Sequence, residues 1–291
     1  MKIALFGNIY QQHKTAVINN FIKTVKKHCI TLAVQESFHR FLTADMKLEV
    51  ESDEIIRDND FTADIAVCMG GDGTFLSVAQ AIGEKQIPML GINTGRLGFL
   101  ASFSSDDIEK TISDICSGNY HIEERSLLGI SSDEFEIQDY PYALNEIAIL
   151  KHDIASMISI HTNINGEYLT TYQADGLIIS TPTGSTAYSL SVGGPIIVPQ
   201  SDTISLTPVA PHSLNMRPIV LCDNAEITLC VESRSHNFLI SIDGRSHSYK
   251  EKTMLHIRKA PYTIKVVTTE GQGFFSTLRR KMMWGADRRE S

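Results

Sequence analysis

The apolar residues of this 291-residue chain change their rhythm near Tyr120, and that change restricts the fold more than any other feature. Before it, short unbroken apolar runs alternate with stripes at helical spacing. Ile3 to Phe6 reads as a buried strand, and Val17, Phe21 and Val25, flanked by Ile18 and Ile22, make a helical stripe. Ile30 to Val34, Ile65 to Met69 and Pro88 to Ile92 repeat the strand pattern. A helix is expected to start at Thr74 and to carry Phe75, Val78, Ala79 and Ile82 on one side. Ser105, with Asp106 and Asp107 behind it, predicts another helix start, with Ile108, Ile112 and Ile115 on one face and Gly118 as its stop. Residues 37–63 are polar and weakly patterned. Strands alternating with helices predict a parallel sheet wrapped by helices.

After Tyr120 the period shortens to two. Ile158, Ile160, Thr162 and Ile164 alternate with outward positions, Asn165-Gly166 is a hairpin turn, and Tyr168 to Tyr172 is the returning strand. Ile227, Leu229 and Val231 alternate in the same way, as do Phe238, Ile240 and Ile242 before Asp243-Gly244. Met254 to Ile257 and Tyr262 to Val267 read as two more strands. This is the pattern of an all-β, sandwich-like domain. Phe274 to Trp284 returns to helical spacing through Phe275, Leu278 and Met282, as a helix that could pack back on the first domain. A prior of about 150 residues per domain also suggests two domains. The expected division is 1–122, completed by 274–291, and 123–273.

A net charge of -8 argues against a nucleic-acid or anionic-membrane binder, which needs a basic face. The one basic cluster, Arg279, Arg280, Lys281, Arg288 and Arg289, reads as a solvated helix face or tail. Five cysteines carry no CxxC spacing. Three of them sit in apolar runs, as small buried residues of a reducing compartment do. The first apolar run, Ile3 to Phe6, is too short for a secretory signal, and no run approaches the roughly 18 apolar residues of a membrane span. A cytoplasmic protein is expected. The ten histidines show no zinc spacing and no HExxH, so no protein-held metal is expected.

The chemistry concentrates in Cys68-Met69-Gly70-Gly71-Asp72-Gly73-Thr74. A buried strand ends, glycines let another molecule approach the backbone, and a helix N-terminus offers amides to phosphate. An aspartate in such a loop has work to do on a proton or a metal, or else merely caps the helix. No lysine follows the glycines, so this is not a P-loop; nor is it GxGxxG.

Gly70 to Thr74 resembles the signature shared by NAD kinases, diacylglycerol and sphingosine kinases and phosphofructokinases. Four further segments resemble NAD kinases in particular: Gly91 to Leu100, Leu144-Asn145-Glu146, Asp175 to Ser191 continuing through Gly193-Gly194-Pro195, and Leu278-Arg279 to Trp284-Gly285. The Gly-Thr-x-Asn-Asp run of lipid kinases is absent. In the third segment Thr183, Ser185, Thr186 and Ser189 offer hydroxyls, and Tyr188 a flat face with a polar tip.

The resemblance implies transfer of a phosphoryl group from ATP, carried with Mg2+, to the 2′-hydroxyl of the adenosine ribose of NAD. Asp72 would be the general base, in a phosphate loop of Gly70, Gly71, Gly73 and Thr74. It implies an NAD pocket lined by Asp72, Gly73, Phe99, Asn145, Glu146, Asp175, Thr183, Thr186, Ala187, Tyr188, Ser189, Ser191 and Ala210. Asn145 and Glu146 would hold ribose hydroxyls, since a carboxylate accepts from two neighbouring hydroxyls at once. It also implies a homodimer or homotetramer in which a neighbour completes the pocket. This chain departs from the family at Ser156 (often His or Arg), Gln173 (often Arg) and Arg245 (often Gln), positions that bear on how a pyrophosphate or donor is gripped. The rival readings are a lipid or sugar kinase using the same loop, and a non-catalytic NAD sensor.

Overall fold

In the computed structural model, residues 1–9, 14–95, 98–153 and 156–285 are described. Arg96, Leu97, Arg288 and Arg289 lie outside them. The chain divides into two compact units, Met1–Glu124 with Ile264–Ser291, and Arg125–Thr263. The chain thus re-enters the first unit at Ile264, inside a strand, ahead of the terminal helix.

The first unit is built on parallel strands β1 (Lys2–Gly7), β2 (Thr31–Gln35), β3 (Glu54–Ile56), β4 (Ile65–Gly70) and β5 (Met89–Asn93), with the short β6 (Phe103–Ser104) paired to β5. Their order is β3-β2-β1-β4-β5, so the winding reverses between β1 and β4. β4 is buried along its whole length, as an unbroken apolar run requires. Helix α1 (Thr15–Lys27) covers the sheet with Ile18, Phe21, Ile22 and Val25.

Residues 37–63, unpatterned in sequence, form α2 (Glu36–Arg40), a π-helical turn (Phe41–Asp45) and β3. Phe38, Phe41 and Leu42 anchor this stretch in the core. Three large side chains within five residues give no clear period, which is why the pattern fails there. Helix α3 spans Asp72–Ile82, two residues ahead of the expected start, with the extended Gly71 as its N-cap. A short 3-10 turn, Ser105–Asp107, leads into α4 (Ile108–Cys116), and the cap is Ser104 rather than Ser105: its Oγ accepts from the Asp106 amide at 3.2 Å.

The second unit packs two antiparallel sheets face to face. Strand β7 (His121–Ser132) leads into it and pairs with β8 (Tyr142–Ala143). One sheet runs β14-β13-β12-β9-β16-β17 and comprises β9 (Glu146–Lys151), β12 (Gly176–Ser180), β13 (Thr203–Val209), β14 (Ile219–Cys222), β16 (Asn237–Ile242) and β17 (Arg245–Lys250). The other contains β10 (Ile158–Ile164), β11 (Glu167–Ala174), β15 (Ile227–Glu232) and the start of β18 (Met254–Thr268). Inward residues of both, among them Ile147, Ile149, Leu177 and Phe238 against Ile160, Leu229 and Leu255, share one core. A four-residue helix, α5 (Tyr188–Ser191), follows β12.

Where two strands were expected near the end, β18 is continuous through Pro261. Its last residues belong to the first unit, where Val266 pairs with Met89. The final helix, α6, covers Phe274–Met282. Among the described residues no helix is long and apolar enough to cross a membrane. The cysteines depart from expectation: only Cys68 is fully buried, while Cys29, Cys116 and Cys222 are exposed. Burial, with the Asp72 charge second, pushes the Cys68 thiol up and leaves it inert.

Candidate active site

Asp72 opens α3 but does not cap it. Its carboxylate reaches the other glycine-rich strand end, where Oδ2 accepts from the Phe99 amide at 2.9 Å and Oδ1 from Leu100 and Ala101 at 3.0 and 3.1 Å. Gly98 makes the approach possible, because a Cβ there would lie 1.9 Å from Oδ1. The side chain is still 32% exposed, so this anchored carboxylate faces outward. Lys281, at the end of α6, stands beside it. Its Nζ lies 3.7 Å from Oδ2 and 4.6 Å from the centre of the Phe99 ring, which in turn packs on Phe274. Lys281 is therefore more than part of a solvated basic face.

A cavity of about 440 Å³ opens at the carboxyl ends of β1, β2 and β4, lined by Gly7, Asn8, Gln35, Gly71, Gly73 and Thr74 among others. It sits at the reversal of strand order, the crevice where open α/β sheets take ligands.

In the second unit the turn Leu144-Asn145-Glu146 is held by a second aspartate. Asp243 accepts from the amides of Leu144, Asn145 and Glu146 at 2.7, 2.8 and 3.1 Å. The Asp243-Gly244 turn, both residues with positive φ, aims the carboxylate there. Across this turn lies the segment after β12. Thr181 donates its hydroxyl to the Leu144 carbonyl and its amide to the Asn145 carbonyl, and a Cβ on Gly184 would come within 2.0 Å of that oxygen. The backbones touch only because residue 184 is glycine.

Glu146, only 8% exposed, accepts from the Tyr188 amide, and its Oε2 has no protein partner. Burial pushes its carboxyl up to about 7, and the neighbouring Asp243 charge adds to the shift. Burial also raises Asp243, outweighing the three amides and Arg245, which act in the opposite direction. A buried, unsatisfied carboxylate oxygen beside a hydroxyl-rich turn is a place for a donor that the protein itself does not supply.

The ATP-NAD kinase N-terminal domain family matches residues 3–120, and the ATP-NAD kinase C-terminal domain family matches residues 144–269. An NAD kinase of Bacteroides fragilis is 60% identical over 289 residues, 99% of this chain and all of the relative. The chain belongs to the NAD kinase family. An NAD kinase of Porphyromonas gingivalis is 43% identical over 285 residues, covering 98% of each chain. Among solved structures, a yeast NADH kinase complexed with NADH matches with a TM-score of 0.88 at 24% identity, over 100% of this chain and 90% of its own. An Archaeoglobus fulgidus NAD kinase in complex with ATP matches at 0.75 and 24%, over 96% and 99%. These two establish a shared fold.

The positions singled out by resemblance to NAD kinases fall into distinct environments. Thr183 and Thr186 lie on the 3-10 turn Thr183–Thr186, Ala187 joins it to α5, and Tyr188 and Ser191 are exposed on α5. Ser189 and Ser185 point inward instead. Ser189 Oγ pairs with Thr207, while Ser185 donates to the Pro182 carbonyl and accepts from the Ile197 amide, so both hold the turn together. Asp175 forms an ion pair with Lys151 at 2.7 Å. Ala210, exposed after β13, has φ of 44°, an uncommon conformation for a residue with a Cβ. Ser156 and Gln173 line one cavity of about 520 Å³ with Glu232, Arg234, His236 and Lys252.

Arg245 is half-buried and held within the protein. Its guanidinium donates to the carbonyls of Tyr140 and Tyr142 and lies over the Tyr140 ring. Lys281 and Asp243 are brought to these turns by the fold, and their sequence signals are only a family-like segment for the first and a hairpin turn for the second.

Proposed function

We propose that this chain transfers the terminal phosphoryl group of ATP to the 2′-hydroxyl of the adenosine ribose of NAD, yielding NADP and ADP. Membership of the NAD kinase family supports this substrate over a lipid or a sugar phosphate. The observation that carries the mechanism is Asp72, a carboxylate fixed by three amides at the open end of an interior strand and still a third exposed.

Phosphoryl transfer needs positioning, charge stabilisation and a group to receive the hydroxyl proton. As the ribose oxygen bonds to the γ-phosphorus, its proton passes to Asp72 and the bond from phosphorus to the β,γ-bridging oxygen breaks. The cavity at the β1/β4 reversal suits the donor, with Gly71, Gly73 and Thr74 lining it. Magnesium belongs to this reading as part of the donor, held by phosphate oxygens and water.

The acceptor's grip belongs to the second unit. Glu146, with an unpartnered oxygen, is suited to accept from ribose hydroxyls, alongside Asn145, Thr183 and Tyr188. The left-handed Ala210 supports a ligand-facing role, since such strain gathers at ligand clamps. Assembly with a second copy is part of the same reading. The second unit carries exposed apolar side chains, among them Leu214, Tyr168, Val220 and Met157, of the kind that another subunit covers. So is a cytoplasmic setting, in keeping with five free thiols.

The test offers the purified protein NAD, a diacylglycerol and a sugar phosphate, each with Mg-ATP. ADP release is followed together with NADP formation. NADP should form and the other acceptors should give only background; ADP release with a lipid or sugar, or NAD binding without turnover, would reverse the assignment.

A further inference from the structure

We propose that Lys281, carried by the last turn of α6, is a donor-contacting residue that supplies the glycine-rich loop with its cation. The proposal rests on Asp72 as the base and goes beyond it. Gly70 to Thr74 contains no positive side chain. The three neighbouring amides, of Phe99, Leu100 and Ala101, are already spent on Asp72. A triphosphate brought to this loop therefore meets a carboxylate. Like charges this close repel even under surface-like screening. Beyond the magnesium that comes with the donor, a protein cation would further offset that repulsion, and among the described residues Lys281 is the one that pairs with Asp72.

Its geometry suits a transferable contact better than a fixed tie. At 3.7 Å the ammonium sits beyond hydrogen-bond reach of Oδ2, so its N–H groups remain available for a phosphate oxygen. The Phe99 ring, 4.6 Å away, holds the charge over its face without consuming a donor. The end of a helix also favours a cation, and Arg279 and Arg280 precede Lys281 there. With 35% of its side chain exposed, Lys281 is open to an arriving ligand. The C-terminal helix thus provides from a distance in sequence what a P-loop carries in its own next residue.

Lys281→Met keeps the stem on the Phe99 ring and removes the charge. It should raise KM for Mg-ATP about tenfold and lower kcat about tenfold, the size of one lost phosphate contact. KM for NAD should stay within about twofold. Lys281→Arg should restore ATP affinity to within about threefold of the starting protein. A lysine that only docks the helix would instead lower the thermal midpoint, move both KM values together and leave Arg no better than Met. Unchanged ATP kinetics in Lys281→Met, or that docking signature, would overturn the proposal. Asp72→Asn measured alongside separates the two readings. Turnover in that variant sinks the base assignment alone, whereas a dead Asp72→Asn beside an unaffected Lys281→Met sinks the lysine alone.

Discussion

Asp72 and Asp243 make the same hydrogen bonds and do different things. Each lies in a glycine-containing turn after a strand, and each carboxylate gathers three consecutive amides from a second turn, 99–101 for one and 144–146 for the other. Asp72 remains a third exposed and has Lys281 beside it. Asp243 is partly exposed as well, but burial raises its carboxyl and helps raise that of Glu146. The hydrogen-bond pattern by itself therefore does not mark a catalytic group. In the proposed function the clamp paired with Lys281 serves as the base, while the other holds the 144–146 turn that carries Glu146.

The largest separation should appear in turnover. Asp72→Asn is expected to lower kcat for NAD phosphorylation about a thousandfold, the scale of a lost general base, with NAD binding still measurable by calorimetry. Its cost in stability should be small, about 1 kcal/mol, because the asparagine keeps one side-chain oxygen that can still accept from the same amides. Asp243→Ala should do the opposite and lose about 3 kcal/mol in denaturant unfolding, since three enclosed donors lose their acceptor. If Asp72→Asn proved the more destabilising of the two, the comparison would collapse.

The paired glycines sharpen the contrast. Alanine at Gly184 would drive a Cβ to 2.0 Å from the Asn145 carbonyl oxygen, backbone against backbone, and should cost about 2 kcal/mol. Alanine at Gly98 would strike the Asp72 carboxylate at 1.9 Å, a side chain able to rotate away. That variant should lose turnover while its unfolding midpoint moves less than that of Gly184→Ala.

The smallest effect is a pH dependence. Glu146 titrates near 7 in the folded chain against 4.5 ordinarily. Between those values the folded protein keeps a proton that the unfolded chain has released, so this group's contribution to stability is present below the lower value and lost as pH rises through the upper one. Glu146→Gln should flatten that slope in pH-resolved denaturation. If ribose hydroxyls bind the ionised carboxylate, NAD affinity should fall about fivefold from pH 7 to pH 6, and a flat profile would remove Glu146 from that contact.

Much of the fold was legible because apolar period reports burial directly. β4 and β5 read as continuous runs, while β10, β15 and β16 read as alternation. The failures are local competitions. Phe38, Phe41 and Leu42 anchor a helix and π-turn too short to establish a period, and Pro261 looks like a break in a strand that runs through it. Ser189 and Ser185 carry the right chemistry for a ligand, yet their hydroxyls point inward, to Thr207 on β13 and to the Pro182 carbonyl and Ile197 amide.

Composition and spacing specified two styles of domain and the glycine-rich loop with its aspartate, and the quoted motifs carried a resemblance to NAD kinases along most of the chain. Which groups face outward was decided only by the folded chain. Lys281 meets Asp72 across 209 positions of sequence because α6 returns to the first unit. Asp243 meets the 144–146 turn because β16 pairs with β9. The physical reason is that side-chain type reports capacity for a bond, whereas partners distant in sequence, and the burial that comes with them, determine whether that capacity is already spent.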